Sequence, residues 1–578
     1  LLLPRPVPRY KFSREGPPFL THVGYIYDGR AEVIPFNRGI KEKRQKEREE
    51  RNNDEMLKKI LFDLLLHNAC WRGIIFIMGL SKTKYCKGVQ CPKILWMDTN
   101  MPEQFDRLVM NEKTLQTGAE VGDLAMSYFG EFSEVPYSED FNAMLTETQR
   151  LLETGATVIT EAAFSYEDDF CLADILRRVQ NGFELVEVKS STGSAFEKPE
   201  KVKSIYIHDM AYQAYVLRKC GINLTKISVM LLNRDYVRRG ELNLQELFAL
   251  VDCTKIVNGL EVENRIAEIK STASQLTEPS AVIGSRCSTP YECGYKNWCY
   301  RNLPVNNVFH IGWSMWGSKK DDAYRSGFVS FDEVLTGGVK LTEKQRRQIM
   351  SETDNLPPFI DCDAIRSFLS KIRYPLYFLD METYMQAVPQ WDSLSPYSQI
   401  LFQYSIHIQE NPHEETRHLE CLCKEGIDPR REIAERLCAD IPTDVCIMAY
   451  NTSFEKARIK ELSLLFHDLE KHLMNLHDNM IDLAEPFRTG AYYCREMGGS
   501  YSIKSVLPAL CPNDPELDYN ALNLVHNGIE AMNAFCDLHT KTLEQIAETR
   551  KALLAYCKLD TLAMVKILGK LYTVTWAV

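Results

Sequence analysis

The sequence predicts a mixed α/β chain with two unlike modules, each carrying carboxylates on strands. Three stretches point there. "FELVEVKSS" alternates with period two and lies one turn away from the apolar "FCLADILRR". "LYFLDMETY" reads as a buried strand ending in two acidic residues. Between them, "RCSTPYECGYKNWCYRN" spaces Cys287, Cys293 and Cys299 evenly.

With 578 residues the chain exceeds a single core, so about three domains are expected. Its 45% hydrophobic and 25% charged residues are those of a globular protein, not of a disordered or fibrous one. The 68 basic and 79 acidic residues leave a formal charge of −11, which argues against passive coating of nucleic acid. That balance still suits an enzyme that gathers carboxylates around metal ions. The nearest approach to a membrane span, Ile60 to Leu80, is broken by Asp63, His67 and Arg72, so no membrane partner is expected. Eighteen cysteines without a disulfide-scaffold pattern, and no signal peptide, suggest a reducing, cytoplasmic setting. Residues 1–77 open on Leu1 with a Pro-rich start and the charge run "KEKRQKEREERNNDE". They are expected to be poorly structured or a gene-model extension, with a natural beginning at Met78; a charged, solvated helix is the alternative.

The first module is expected over 78–302. On the strand 183–190, Leu185, Glu187 and Lys189 share one face, and Val186 and Val188 the other. Asn181-Gly182 is a hairpin signal, so the preceding strand brings Asp174 beside Glu187. Paired carboxylates in an apolar setting repel unless a cation lies between them. Lys189, on the same face, can stabilise an attacking hydroxide or charge developing on phosphate. Taken alone, E-x-K is more often a cross-strand salt bridge. The helix "HDMAYQAYVLRKCGI" then offers Gln213, with Tyr212, Val216 and Leu217 near the same face.

An Asp, then E-x-K, then a helix carrying Gln resembles the PD-(D/E)XK nucleases, in particular their RecB-like branch. That resemblance implies Asp174, Glu187, Lys189 and Gln213 as site residues, Asp174 and Glu187 holding metal. It also implies a [4Fe–4S] cluster on one leading and three trailing cysteines: Cys91, from "GVQCPKILW", with Cys287, Cys293 and Cys299. Cys86 competes for the leading place. Structural zinc is the alternative, although it usually takes C-x2-4-C pairs, which are absent. The branch often carries a metal-binding His in its first helix; "TGAEVGDLAMSYF" has none, leaving Glu120 or Asp123 as stand-ins. Glu161 is a further carboxylate on an expected strand, "TVITEAAF".

Residues 303–372 read as a linker with short helices, and 373–578 as the second module. Asp380 and Glu382 lie on one face at the end of a buried strand, where like charges need a counter-ion. Further strands, "ILFQYSIHI", "HLECLC" and "DVCIMAY", with flanking helices suggest an RNase H-like sheet. In "NTSFEK", Thr452 and Glu455 have capping-box spacing. In "YCKLDT", Tyr556 and Asp560 are one helical turn apart, as in a simple Tyr–Asp hydrogen bond. In this order, Asp380, Glu382, Glu455, Tyr556 and Asp560 resemble the DEDD exonucleases, with Glu455 standing where Asp is usual. The resemblance implies Mg2+ or Mn2+ held by Asp380, Glu382 and Asp560, an attacking water oriented by Tyr556, and digestion from the 3′ end. Lys504, in "GGSYSIKSVLPAL", is expected beside the bound strand or simply on the surface.

From Met78 onward the chain resembles bacterial proteins of the domain of unknown function 2779 family. The motifs are "LSKTKYCKGVQCPKILW", "LDMETY", "YNTSFEK", "GSYSIKSVLPAL" and "YCKLDT". The expectation is a metal-dependent nuclease acting on nucleic acid, DNA ahead of RNA. The alternatives are an RNA exonuclease, or a nucleic-acid-binding protein whose nuclease sites are degenerate.

Overall fold

The computed structural model describes residues 22–27, 30–35, 79–107, 112–194, 196–315, 317–412, 414–512 and 514–576. The chain divides into two units, Leu1–Phe76 and Ile77–Val578. In the first, His22–Tyr27 pairs antiparallel with Arg30–Pro35; the extension expected over residues 1–77 otherwise lies outside the described residues.

The second unit is mixed α/β. Its first sheet runs in chain order: β1 (Ser133–Glu134), β2 (Val158–Tyr166), β3 (Asp169–Val179), β4 (Gly182–Gly193), β5 (Leu224–Asn233) and β6 (Phe248–Asp252). The β2–β3–β4 meander is antiparallel and β4 runs parallel to β5. The β3–β4 turn sits one residue earlier than the Asn-Gly signal, with Val179 opposite Gly182. Gly182 is required because a Cβ there would collide with the Asn223 carbonyl.

Helices cover both faces of this sheet. α1 (Lys82–Gln90) starts at Ser81, whose hydroxyl accepts from the Lys84 N–H at 3.2 Å. α2 (Lys93–Asn100) follows, then α3 (Glu112–Met126) and α4 (Ser204–Lys219). The alternation of β4 sorts its neighbours. Leu185 packs in the core with Met210, Tyr212, Val216 and Leu217 of α4, while Val186 packs with Val121 and Ala125 of α3 on the other face. Glu187 therefore faces α4, and α3 lies across the sheet from it.

The second sheet contains β7 (Leu376–Met385), β8 (Gln399–Gln409), β9 (Arg417–Leu422), β10 (Cys446–Ala449) and β11 (Met480–Asp482). Their spatial order is β9-β8-β7-β10-β11. β9, β8 and β7 are antiparallel, and β10 and β11 join β7 in parallel. β7 is central and its apolar residues from Leu376 to Tyr384 are buried, as "LYFLDMETY" predicts. α5 (Ser453–Leu465) and α6 (Ile503–Leu510) flank it, and the 34-residue α7 (Leu543–Trp576) packs on β7 and β8.

Residues 303–372 hold short helices around an apolar cluster of Val308, Ile311, Phe331, Val334 and Ile349. Ser330 and Thr342 form full capping boxes there. Phe359–Ile360 pairs with Tyr492–Tyr493, and Arg347 and Lys344 bond the carbonyls of Gly490 and Arg488. These contacts build the segment into the side of the second sheet's core. Among the described residues no helix is long and apolar enough to cross a membrane.

Candidate metal centres and the cysteine cluster

On the first sheet, Asp174, Glu187, Lys189 and Gln213 meet in one place. Gln213, fully buried on α4, donates to Glu187 Oε2 at 2.6 Å, and Lys189 Nζ lies 2.6 Å from Glu187 Oε1. Asp174 Oδ2 accepts the Val188 backbone N–H at 2.8 Å. Two groups complete the set that sequence reading missed. Asp209 bonds Lys189 at 2.7 Å and Gln213 at 3.0 Å. Lys82, at the start of α1, lies 3.1 Å from both Asp174 Oδ1 and Glu187 Oε1. Asp209 was findable, since it precedes Gln213 by one helical turn; Lys82 lies far away in sequence and gives no local signal.

Burial raises the Asp174 carboxyl to about 6, helped by neighbouring Glu187. Burial opposes ionisation of Glu187 too, but Lys189 and Lys82 outweigh it and hold that carboxyl low. Glu161, at positive φ within β2, is raised to about 7 by burial and by Asp174. Glu120 is exposed on α3, across the sheet from this group, so it does not take the place of the absent histidine.

On the second sheet, Asp380 and Glu382 of β7 and Asp560 of α7 place one ligand oxygen each within 4.8 Å of the others. At an effective dielectric of about 20, each ionised pair at that separation repels by roughly 3 kcal/mol. The group therefore demands protons or cations. Burial, then Asp560, raises Glu382 to about 8, and burial with the same neighbours lifts Asp380 well above the usual carboxylate range.

Glu455 is 4% exposed, and its Oε2 has no hydrogen-bond partner. Thr452 adopts helical φ/ψ and makes no side-chain cap bond, so the capping-box reading of Glu455 is overturned. Burial raises Glu455 to about 8, and Asp482 adds to the effect. A cation-ligating donor set with an orphaned buried carboxylate oxygen fits Mg2+ or Mn2+. Asp380, Glu382 and Asp560 would hold the metal.

Tyr556 lies beside Asp560 and its ring centroid is 6.2 Å from that of Tyr519. Tyr519 donates to Asp560 Oδ1 at 2.5 Å, and Cys557 Sγ stands 3.4 Å from Asp380 Oδ2. Neither residue was singled out from sequence, although Cys557 shares the helix face of Asp560. Lys504 Nζ sits over the rings of Tyr519 and Tyr556, 5.1 and 5.4 Å from their centroids.

Cys91, Cys287, Cys293 and Cys299 line one small cavity with Ile94, Met97 and Tyr295. Cys86 instead lies near Lys189 and Asp209, which removes it as the leading member. Gln90 Nε2 donates to the carbonyls of Arg286 and Tyr291, and Arg286 donates back to the Gln90 carbonyl. This exchange ties the end of α1 to the cysteine loop. No three of the four sulfurs lie within 4.8 Å of one another.

Residues 377–502 match the family model described as "Domain of unknown function (DUF2779)". That span contains Asp380, Glu382 and Glu455. The chain is 24% identical over 435 residues to the "Uncharacterized protein MG366 homolog" of Mycoplasma pneumoniae, covering 66% of this chain and 65% of that protein. It is 21% identical over 446 residues to "Uncharacterized protein MG366" of Mycoplasma genitalium, covering 69% and 65%. The chain thus spans 65% of the length of these curated relatives. No solved structure matches it.

Proposed function

We propose that this chain is a metal-dependent nuclease with two hydrolytic sites, the second acting as a 3′–5′ exonuclease on DNA ahead of RNA. The observation that carries the reading is the convergence of Asp380, Glu382 and Asp560 within 4.8 Å, with Glu455 buried and its Oε2 without a hydrogen-bond partner. The strand order β9-β8-β7-β10-β11, three antiparallel then two parallel, supports an RNase H-like fold for 373–578. The β2–β3–β4 meander followed by α4 and parallel β5 supports a PD-(D/E)XK fold for 78–302.

Divalent ions, if bound at the second site, would activate water and offset charge on the scissile phosphate. Asp380, Glu382 and Asp560 would hold those ions, and Tyr519 fixes one Asp560 oxygen. The Tyr556 hydroxyl orients the attacking water, and the Lys504 ammonium meets the phosphate of the bound strand. At the first site, Lys189 stabilises charge developing on phosphate while Gln213 and Asp209 hold Glu187 and Lys189 in place. The cysteine set, with a [4Fe–4S] cluster, closes the first module by joining α1 to the 286–299 loop.

The test is digestion of end-labelled single- and double-stranded DNA and RNA with Mg2+ or Mn2+. A ladder shortening from the 3′ end is expected. Binding without hydrolysis in both metals would make the chain a nucleic-acid-binding protein instead.

A further inference from the structure

The two candidate metal sites differ in one respect that motif comparison does not reveal. Among the described residues, no lysine or arginine pairs directly with Asp380, Glu382 or Asp560; Lys504 acts on Glu382 and Asp560 only from its place over the Tyr519 and Tyr556 rings. At the first site, Lys82 Nζ lies between the two candidate ligands, 3.1 Å from Asp174 Oδ1 and 3.1 and 3.4 Å from the two Glu187 oxygens. Lys189 is committed elsewhere, to Glu187 Oε1 and Asp209 Oδ2. Four carboxylates, Asp174, Glu187, Asp209 and Glu161, thus face two ammonium groups, and one of these occupies the gap a metal would need.

A divalent ion ligated by Asp174 and Glu187 uses the oxygens that Lys82 now contacts. The two cations cannot share that space. Lys82 is the first residue of α1 and its side chain is 25% exposed. Gln213 Oε1, fully buried at the same place, has no hydrogen-bond partner, which marks an unfilled polar position beside Glu187.

Resting on the nuclease reading above, we propose that Lys82 is a built-in counter-ion that keeps divalent metal out of the first site until a strand phosphate takes over its ammonium. Metal and strand then bind the first site with positive coupling, each raising the affinity of the other. The second site has no such plug and loads metal without nucleic acid.

The test uses the full chain carrying Asp380→Ala and Asp560→Ala, which empties the second site. Free Mn2+ is titrated by electron paramagnetic resonance, with and without a phosphorothioate-linked single strand. The parent is expected to bind Mn2+ at least tenfold more tightly with the strand. Lys82→Met and Lys82→Gln should bind tightly in both conditions, Lys82→Arg should behave as the parent, and Glu187→Gln should abolish the gain. Mn2+ should also raise the melting temperature of Lys82→Met more than that of the parent. Equal parental affinity with and without the strand overturns the proposal without any change at Lys82. Neutral Lys82 variants that bind no more tightly than the parent also overturn it. A Lys82-dependent affinity in a chain that hydrolyses nothing would remove the nuclease reading and leave the counter-ion standing.

Discussion

Tyr397, in the segment between β7 and β8, donates its hydroxyl hydrogen bond to the carbonyl of Ser190 across 2.7 Å. Ser190 directly follows Lys189 on β4, so a loop leaving the strand of Asp380 and Glu382 ends against the strand of Glu187. The contact is not isolated. Ala387, Val388 and Tyr397 pack with Val186, Val188 and Met230, and Arg238 exchanges backbone bonds with Ser393 and Leu394. Arg238 also reaches the Pro389 carbonyl, and Asp392 caps the Gly240 N–H. The two sheets are thereby clasped through the segment 386–398.

Tyr397→Phe keeps the ring and removes only the donor. A loss of about 1 kcal/mol in stability is expected from one part-buried hydrogen bond. The measurement is a denaturant melt of the two proteins side by side. An unchanged midpoint would mean that the clasp does not hold in solution.

The acid cluster of the second sheet makes the metal-free chain sensitive to alkali. Burial, with neighbouring carboxylates, holds Glu382 and Glu455 at about 8, against 4.5 for an ordinary glutamate. Between those values the folded chain binds more protons than the unfolded chain, so stability falls as pH rises through that window. Melting in chelator should therefore drop between pH 5.5 and 8, and Mn2+ should cancel the drop by replacing the protons. A chelated protein equally stable at both values would show that these carboxyls titrate normally.

Purified without oxygen, the protein should be brown, and changing Cys91, Cys287, Cys293 or Cys299 to Ser should remove the colour. Because ligation stabilises the folded state, those variants should also be less soluble. Cys86→Ser should keep the colour. A colourless protein with stoichiometric zinc would contradict the cluster.

How much of this was legible in the sequence depends on the range of each interaction. Glu187 and Lys189 on one face, and Tyr556 with Asp560, follow from strand and helix periods and were readable locally. The hairpin carrying Asp174 was readable from its turn, within one residue. Lys82 reaches Asp174 from 92 positions away, and Tyr519 reaches Asp560 from 41. Only tertiary packing brings such pairs together, so no local pattern announces them. The core inside 303–372 was missed for a related reason: its helices are short, and their apolar residues find partners in one another, with Trp313 against Tyr493.

Tyr556→Phe should slow hydrolysis at the second site by about a hundredfold, since it loses an orienting hydroxyl and no metal ligand. Tyr519→Phe should be comparable, freeing the Asp560 oxygen it now holds. Single-turnover rates on one labelled strand measure both. A rate unchanged in Tyr556→Phe would remove the water-orienting role.

The central claim is that the carboxylates of β7 and α7 form a hydrolytic centre independent of the first site. The most direct measurement compares Asp380→Ala, Lys189→Ala and the unmodified chain on one 3′- and 5′-labelled substrate panel, with melting curves to confirm folding. Asp380→Ala should abolish stepwise digestion from the 3′ end by orders of magnitude while Lys189→Ala leaves it intact. Digestion of every substrate by folded Asp380→Ala at the unmodified rate would contradict the account.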